Sequence, residues 1–365
     1  MARDLSLGGL RDVSWMEGVW AAQDTTPAEV ESALQDILKR RHSESESYVP
    51  ARVLNLVVVA DREWRGEIQN RLEGVGRYHP SRTILCAVEP GRTTIDAWAT
   101  MTVTGDPSPG GITLCHEQIV LDVGPVHLAR LDTVVDPLVV SDLATVLWSP
   151  HGHADAVDAL RPLAQVVLVD SISEPDLAAS VDRARELAEQ AYVVDLAWLR
   201  STPWRERVTA TFDPPQWRAE LGRISSVTVR HRPDSAIAGV LFFAWLSSRL
   251  GWEPGPLVGV NGSRKGHARG RRQDVKLHLE PDDTMSAPGL AGITIETASG
   301  MSMSLDRGRG GLTARRRTRD GSESSWTVVG ASRGEAGILG EGIRQALLRD
   351  ATYRPALDAA WTMLR

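Results

Sequence analysis

The chain has 365 residues, of which 42% are hydrophobic and 24% are charged, and its formal net charge is −6. This composition is typical of a folded globular protein that is long enough for two domains. The modest acidic balance excludes a protein whose whole surface is built to bind nucleic acid or an anionic membrane.

The N-terminal region, the apolar windows and the cysteines all favour the cytoplasm. The first ten residues, MARDLSLGGL, lack the basic region and long apolar core of a secretory signal. The most apolar window, at 236–246, is far shorter than the roughly 20 residues that span a bilayer, so we interpret it as a buried helix. Cys86 and Cys115 are expected to be buried thiols in a reducing compartment, with a redox pair as the alternative. We therefore expect a cytoplasmic protein with no membrane partner.

The first part of the chain has the pattern of an α/β sheet. The stretch TTPAE at 25–29 predicts the capped start of a helix, which the polar run at 43–47 ends as a linker. The run VLNLVVVA at 53–60 is almost entirely apolar, as in a central strand covered on both faces. An amphipathic helix follows, and a strand at 83–88 completes a right-handed β-α-β unit with parallel strands. Further strands are predicted at 94–103, 112–121, 144–148 and 165–169.

The rest of the chain predicts a helical bridge and an α+β domain. One helix is predicted after residue 174 and a second through DLAWLRSTPWRERV at 195–208. Pro203 is expected to kink or restart the second helix, with Thr202 as its new N-cap. An apolar helix, alternating strands and a hairpin follow, and a last helix begins near Glu335.

The predicted fold class combines these parts. It is an α/β N-terminal domain, with a mixed sheet and a β-α-β unit, followed by a helical bridge and an α+β C-terminal domain with an antiparallel meander. The predicted boundaries are a helical extension with its linker at 1–45, the α/β domain at 46–173, and the bridge with the C-terminal domain at 174–365.

Neither a cofactor site nor a metal site is predicted. The first central strand ends in Ala60-Asp61-Arg62 and not in the Gly-rich turn that lets a backbone approach a pyrophosphate. The stretch HGHAD at 151–155 places two histidines beside an aspartate, but the other histidines of the chain are scattered without ligand-like spacing. We therefore interpret HGHAD as an exposed polar loop.

The stretch HPSR at 79–82 raises the question of catalysis. His79, Ser81 and Arg82 are crowded at the entrance of a strand, at an edge of the predicted α/β sheet, and α/β sheets often bind ligands. No Gly-x-Ser-x-Gly elbow occurs, and Ser81 has no obvious general base except His79. We predict no catalytic residue, and we keep as the alternative a sugar-phosphate or other anion-binding protein or enzyme that uses the turn His79–Arg82.

Basic residues concentrate in two segments, SRKGHARGRR at 263–272 and LDRGRGGLTARRRTR at 305–319. They are interpreted either as a solvated loop and hairpin edge or as a docking surface for an acidic partner or a polyanion. Aromatic residues are not interleaved with the basic ones as they are in many nucleic-acid-binding proteins, so nucleic acid is not an expected partner. The chain has twelve Trp, and the helical bridge combines Trp and Arg, the types enriched at interface hot spots, although Trp is also common in cores.

Several motifs, taken in order, resemble the glucose-6-phosphate dehydrogenase assembly protein family, often called OpcA. They are RVLNLVVVAD at 52–61, HPSR at 79–82, LWSP at 147–150, DLAWLRSTPWRERV at 195–208 and an apolar helix ending in SSRLGW. The resemblance runs from about residue 26 to beyond residue 345. It departs from the family pattern at Pro203, where the family has no proline, and at 261–273, an Arg-rich, insertion-like loop specific to this chain.

The resemblance implies a non-catalytic adaptor that binds glucose-6-phosphate dehydrogenase and favours its active oligomer in the oxidative pentose phosphate pathway, with no cofactor. In this interpretation the turn His79–Arg82 is conformational, and Arg82 is available for an ion pair or a partner contact. The partner-binding candidates are His79, Ser81, Arg82, Asp195, Trp198, Arg200, Trp204 and Arg205. The alternatives are the anion-binding turn and polyanion binding through the Arg-rich loops.

Overall fold

The structure is a computed structural model that describes residues 14–16, 18–44, 48–50, 52–76, 79–105, 113–260, 263–308, 310–329 and 334–365. Its internal contacts divide the chain into two units, residues 1–168 and 169–365. The sequence places the corresponding boundary after residue 173. Both units mix strands and helices, and the predicted combination of α/β and α+β parts is confirmed.

The first unit contains nine described strands and four α-helices. The strands are β1 (Ser14–Met16), β2 (Val19–Ala22), β3 (Tyr48–Pro50), β4 (Leu54–Asp61), β5 (Ser81–Val88), β6 (Asp96–Gly105), β7 (Thr113–Val123), β8 (Thr145–Trp148) and β9 (Val166–Val169). The helices are α1 (Pro27–Glu44), α2 (Arg65–Gly76), α3 (Asp132–Val135) and α4 (Ala154–Leu160), with short 3₁₀ helices at Arg62–Trp64, Pro125–Arg130, Asp136–Leu138 and Arg161–Leu163.

The sheet of the first unit has the order β1-β2-β6-β7-β5-β4-β8-β9, and β3 also pairs with β7. Strand β4 pairs in parallel with β5 on one side and with β8 on the other, which confirms the predicted β-α-β unit. The chain leaves β4 toward β5 and later crosses back to β8, so the strand order reverses at β4. In open α/β sheets, the carboxyl ends of the strands form a crevice at such a reversal.

Local sequence explains the start of α1 and the burial of β4. The backbone N–H of Thr26 donates to the Glu29 carboxylate at 2.9 Å, and the N–H of Glu29 donates to the Thr26 hydroxyl at 3.4 Å. This is the predicted capping box, which satisfies two donors that a helix start leaves without partners. In β4, every residue from Leu54 to Ala60 is buried, as the apolar run predicts.

The second unit contains its own helices and strands. The strands are β10 (Tyr192–Asp195), β11 (Ile224–His231), β12 (Glu253–Pro254), β13 (Val258–Val260), β14 (Ser263–Arg269), β15 (Asp274–Pro281), β16 (Leu290–Thr297), β17 (Ser302–Gly308), β18 (Gly311–Arg317) and β19 (Glu323–Val329). The helices are α5 (Leu177–Ala188), α6 (Leu196–Arg200), α7 (Thr202–Phe212), α8 (Pro215–Leu221), α9 (Ala236–Leu250), α10 (Gly334–Leu348) and α11 (Tyr353–Met363), with 3₁₀ helices at Ser171–Ser173 and Pro233–Ser235.

The sheet of the second unit has the order β12-β14-β15-β11-β16-β17-β18-β19, and β13 pairs with β14. The strands from β16 to β19 form the predicted antiparallel meander. Strand β11 pairs with β15 in parallel and with β16 antiparallel, so the sheet is mixed. The prediction of an insertion-like loop at 261–273 is wrong for the residues that the structure describes. Residues 263–269 form strand β14, and a tight turn leads from it into β15.

Helix α9 forms the centre of the second unit. Every residue from Ile237 to Ser247 is buried, and the helix contacts α11 and the strands β11 and β15. A helix that is covered on several sides needs apolar residues all round, which explains the sequence AIAGVLFFAWL. Gly251, at φ 66°, ends the helix in the left-handed conformation that glycine adopts without strain. Among the described residues, no helix combines the length and apolarity that crossing a membrane requires.

Candidate functional site

The turn at residues 79–82 leads directly into β5, whose second residue, Arg82, is only 5% exposed. Its Nε donates to a carboxylate oxygen of Glu117 at 2.7 Å. Its Nη1 donates to Glu31 at 2.9 Å and to the carbonyl oxygen of Leu138 at 2.9 Å. Arg82 therefore joins helix α1, strand β7 and the segment before β8 through one buried cation.

The burial of Arg82 argues against an anion site at this turn. Its guanidinium faces two carboxylates, of which that of Glu117 is 1% exposed and also accepts from Arg52. An incoming phosphate would compete with these carboxylates for a cation that is almost fully buried. Ser81 is likewise buried and its hydroxyl pairs with Thr83 at 3.1 Å.

His79 stands at the half-buried entrance of the turn. Its backbone N–H donates to the carbonyl oxygen of Val75 at 3.0 Å, which anchors the turn to the end of α2. The hydrogen bonds of the described residues do not join His79 to Ser81. The conformational role expected for this turn agrees with these contacts.

The crevice at the reversal of the first sheet holds a carboxylate and two histidines. His153 Nε2 lies 3.0 Å and His151 Nδ1 lies 3.7 Å from the Asp61 carboxylate, and the Asp61 N–H donates to His151 Nδ1 at 3.1 Å. Burial, partly opposed by Asp61, lowers the pKa of His151. Gly152, Ala154 and Asp155 of HGHAD are exposed, as the predicted loop requires, whereas His151 and His153 pack against the end of β4.

The same strand ends carry a second polar cluster. Asp122, at the end of β7, is buried and accepts from Arg62 at 3.1 Å and from Arg65 at 3.4 Å. Burial raises the pKa of Asp122, and the two arginines oppose that rise. The residues at this edge are thus paired with one another, and within the described part of the chain no three ligand-type side chains are arranged to hold a metal ion.

In the second unit, Asp195 ends β10 and caps α6. It is 1% exposed and accepts four hydrogen bonds, from the N–H groups of Ser171 and Ala197 at 3.2 and 2.9 Å, from the Ser171 hydroxyl at 2.7 Å and from the Tyr353 hydroxyl at 3.2 Å. Burial raises its pKa to about 6, although the bonds from Ser171 and Ala197 oppose the rise. Asp195 therefore ties α6 to the turn at Ser171 and to the start of α11.

Trp198 and Arg205 form the centre of the same buried cluster. Trp198 Nε1 donates to the Asp350 carboxylate at 2.9 Å, and the guanidinium carbon of Arg205 lies 3.6 Å from the Trp198 ring centroid. Arg205 also donates to the carbonyl oxygen of Trp198 at 2.7 Å. Burial lowers the pKa of Arg205 to about 9, so the side chain remains a cation at neutral pH.

The two remaining motif residues are also held in place. Arg200 makes a bidentate contact with Asp170, at 2.8 and 2.7 Å. Trp204 is 1% exposed and is a core residue. The prediction that Thr202 is the N-cap of α7 is wrong, because Ser201 precedes the first helical residue. The carbonyl oxygen of Ser201 accepts hydrogen bonds from the N–H groups of Trp204 and Arg205.

The predicted residues fall into two separate clusters. Ser81 and Arg82 belong to the first unit, and the five candidates Asp195, Trp198, Arg200, Trp204 and Arg205 belong to the second. Their partners were missed because they lie far away in the sequence: Glu31, Glu117, Asp170, Asp350 and Tyr353. Asp170 carried a weak local signal, because it directly follows the apolar strand β9.

Two family models match consecutive parts of the chain. The N-terminal domain of a glucose-6-phosphate dehydrogenase subunit matches residues 73–186, and the C-terminal domain of the same subunit matches residues 191–357. The second match contains Asp195, Trp198, Arg205, Asp350 and Tyr353, whereas Ser171, which also bonds to Asp195, lies in the first match.

Curated relatives carry the same family name. The chain is 30% identical over 145 residues to the OxPP cycle protein OpcA of Nostoc punctiforme, a match to 39% of this chain and 31% of that protein. It is 24% identical over 242 residues to OpcA of Synechococcus elongatus, which is 65% of this chain and 52% of that protein. The chain thus spans between about a third and a half of the length of these relatives.

Two solved structures that the chain matches weakly are a dehydrogenase and an oxidoreductase domain protein. The WlbA (WbpB) dehydrogenase of Thermus thermophilus has a TM-score of 0.40 at 13% identity, over 84% of this chain and 94% of that one. An oxidoreductase domain protein of Kribbella flavida has a TM-score of 0.43 at 10% identity, over the same shares of the two chains. A similarity at this level indicates neither a shared activity nor a shared cofactor.

The two domain models follow each other in order along the chain and together cover most of it. The motifs at 79–82 and 195–208 lie inside the matched ranges, and both occupy buried positions that hold their units together. The chain belongs to the OpcA family of glucose-6-phosphate dehydrogenase assembly proteins.

Proposed function

We propose that this protein is a cytoplasmic, non-catalytic assembly factor that binds glucose-6-phosphate dehydrogenase and favours its active oligomer. The observation that carries this proposal is the pair of domain matches, at 73–186 and 191–357, to a subunit of that dehydrogenase. The OxPP cycle name of the cyanobacterial relatives supports the same pathway.

The state of the motif residues supports a binding role. Arg82, Asp195, Arg200 and Arg205 each form hydrogen bonds with buried or half-buried partners inside their own unit. Side chains with such internal hydrogen bonds hold the backbone and the helices in fixed positions. A rigid surface binds a partner with a smaller loss of conformational entropy. We propose that the eight candidate residues serve the partner contact by holding that surface in shape.

The proposed activation is a linkage effect. A protein that binds the active assembly of an enzyme more tightly than its inactive forms raises the population of the active form, and the gain cannot exceed that difference in affinity. Tenfold tighter binding corresponds to about 1.4 kcal/mol. The effect needs no chemical step on this chain.

The test uses the full chain and the glucose-6-phosphate dehydrogenase of the same organism. Light scattering after size exclusion reports whether a complex forms and in which oligomeric state the dehydrogenase runs, and an NADP⁺ reduction assay reports its activity with and without this protein. We expect a complex, a shift to the active oligomer and a higher activity at low enzyme concentration. Equal activity and separate elution of the two proteins would contradict the proposal.

A further inference from the structure

One helix of the second unit stands on its surface. Helix α8 (Pro215–Leu221) has no buried residue, whereas α5, α6, α7, α9 and α11 of the same unit each bury several. On one side, α8 contacts the hairpin of β18 and β19, and on the other it lines a cleft beside β11. We call the residues that these two sides expose the α8 surface. They are Trp217, Arg218, Arg271, Arg272, Arg316 and Trp326.

On the hairpin side of the α8 surface, Arg316 lies between the rings of Trp217 and Trp326. The guanidinium carbon of Arg316 lies 4.4 Å from the ring centroid of Trp217 and 5.7 Å from that of Trp326. Trp326 is 37% exposed. Arg316 Nε is shielded from solvent and has no hydrogen-bond partner among the described residues. This side therefore offers aromatic area and a cation at the same place.

The cleft side of the α8 surface has an apolar floor and a basic rim. Its volume is about 350 Å³, and its floor is formed by Leu221, Ile224, Leu250, Trp252 and Val275. Arg218, Arg271 and Arg272 stand at its rim. Arg271 and Arg272 are exposed and make no ion pair with any residue that the structure describes.

The charge of the α8 surface is opposite to that of the chain. The chain has a net charge of −6, but this surface and the adjoining turns carry more arginines than carboxylates. Asp213 and Glu220 are engaged by Arg218 and Arg223, at 3.4 and 3.2 Å. Arg315 and Arg317 alternate with Arg316 along β18, so they lie on the opposite face of the sheet and do not add to this charge. Such a local positive field attracts an acidic partner.

We infer that the α8 surface is where this protein binds its dehydrogenase partner, through an acidic segment of that partner that carries an apolar side chain. The carboxylates of the segment meet Arg271 and Arg272, and its apolar side chain enters the cleft above Trp252. Trp326 and Trp217 widen the contact on the other side of α8. Trp and Arg are the residue types that dominate binding energy at protein interfaces. This inference rests on the proposed function, since it names the surface that carries it.

The experiment compares three variants with the wild-type chain. Arg271→Glu with Arg272→Glu reverses the rim, and Trp326→Ala removes the exposed ring. Lys39→Glu with Arg130→Glu is the matched control, because it changes the charge equally at two exposed residues of the first unit. Urea unfolding checks that each variant is folded, and biolayer interferometry measures affinity for the immobilised dehydrogenase between 50 and about 300 mM salt.

We expect the rim reversal to weaken binding more than about 10-fold and to flatten its salt dependence, and Trp326→Ala to weaken binding at least about 5-fold. The control is expected to bind within about twofold of wild type. A rim reversal that binds like wild type would overturn the inference and leave the proposed function standing. A wild-type chain that does not bind the dehydrogenase would overturn both. Binding of single-stranded poly-dT that the rim reversal abolishes, without dehydrogenase binding, would assign the surface to a polyanion instead.

Discussion

The guanidinium of Arg205 stacks on the ring of Trp198 at 3.6 Å while its Nη1 donates to the carbonyl oxygen of that same residue. Both side chains are buried, so a cation is held inside the second unit by an aromatic face and by hydrogen bonds. The pair is one part of a cluster that also includes Asp350. The motif at 195–208 thus supplies buried contacts that stabilise the second unit.

Replacing Trp204 by alanine is expected to lower the free energy of unfolding by about 3–5 kcal/mol, because the side chain is 1% exposed and its removal leaves a cavity. Trp64, which is 45% exposed, is the matched control, and its replacement by alanine is expected to cost less than about 1 kcal/mol. Urea unfolding followed by far-UV circular dichroism measures both. Equal effects of the two substitutions would contradict the core position of Trp204.

Arg82→Ala is expected to destabilise the first unit by about 3–5 kcal/mol, because it leaves the carboxylate of Glu117 buried with only Arg52 beside it. The control is Arg71→Ala, which removes an exposed helix pair with Glu67 and is expected to cost about 0.3–0.5 kcal/mol. Urea midpoints at pH 7 compare the two variants. A midpoint for Arg82→Ala that matches the control would show that the buried ion pairs contribute little.

Asp195→Asn is expected to change how stability depends on pH. The folded-state pKa of Asp195, about 6, lies above its ordinary value of 3.8, so its contribution is complete below pH 3.8 and is lost as the pH rises through about 6. Relative to the variant, the free energy of unfolding of the wild-type protein should fall by about 1 kcal/mol between pH 5 and pH 7. Parallel curves of unfolding free energy against pH for the two proteins would exclude a titrating Asp195.

The Cys86 thiol is expected to resist alkylation in the native protein. It is fully buried, and that burial raises its pKa to about 12, so the reactive thiolate is scarce at neutral pH. Iodoacetamide treatment at pH 8 with peptide mass mapping should find Cys86 unmodified in buffer and modified in about 6 M guanidinium chloride. Rapid native modification would instead point to a redox role for this residue. The side chain of Cys115 lies outside the described residues.

The sequence predicted local structure well where one physical signal dominates. The alternation in ISSVTVRH predicts a strand, and β11 covers those same residues. Apolar residues at every second position of β15 predict which face is buried, and Val275, Leu277 and Leu279 are indeed buried. Burial of one face is encoded residue by residue, so it can be deduced without knowing the neighbours.

The sequence could not predict which elements pair. The parallel pairing of β11 with β15 brings residues 226–231 beside residues 276–281, and no local pattern specifies a strand's neighbour. Strand β14 was missed because most of its side chains are basic or exposed and only Ala268 is buried. For the site, the motif residues were identified, but their burial depends on distant partners such as Asp350 and Tyr353.

The position of β11 in its sheet has a consequence for biosynthesis. It ends at His231, while its two neighbours in the sheet begin only at Asp274 and Leu290. On the ribosome, this strand therefore emerges with both hydrogen-bonding edges unpaired, before the segments that pair with it have been translated. Nascent segments of this kind are the ones that chaperones shield, and folding of the second unit is expected to follow, and not accompany, the synthesis of its last strands.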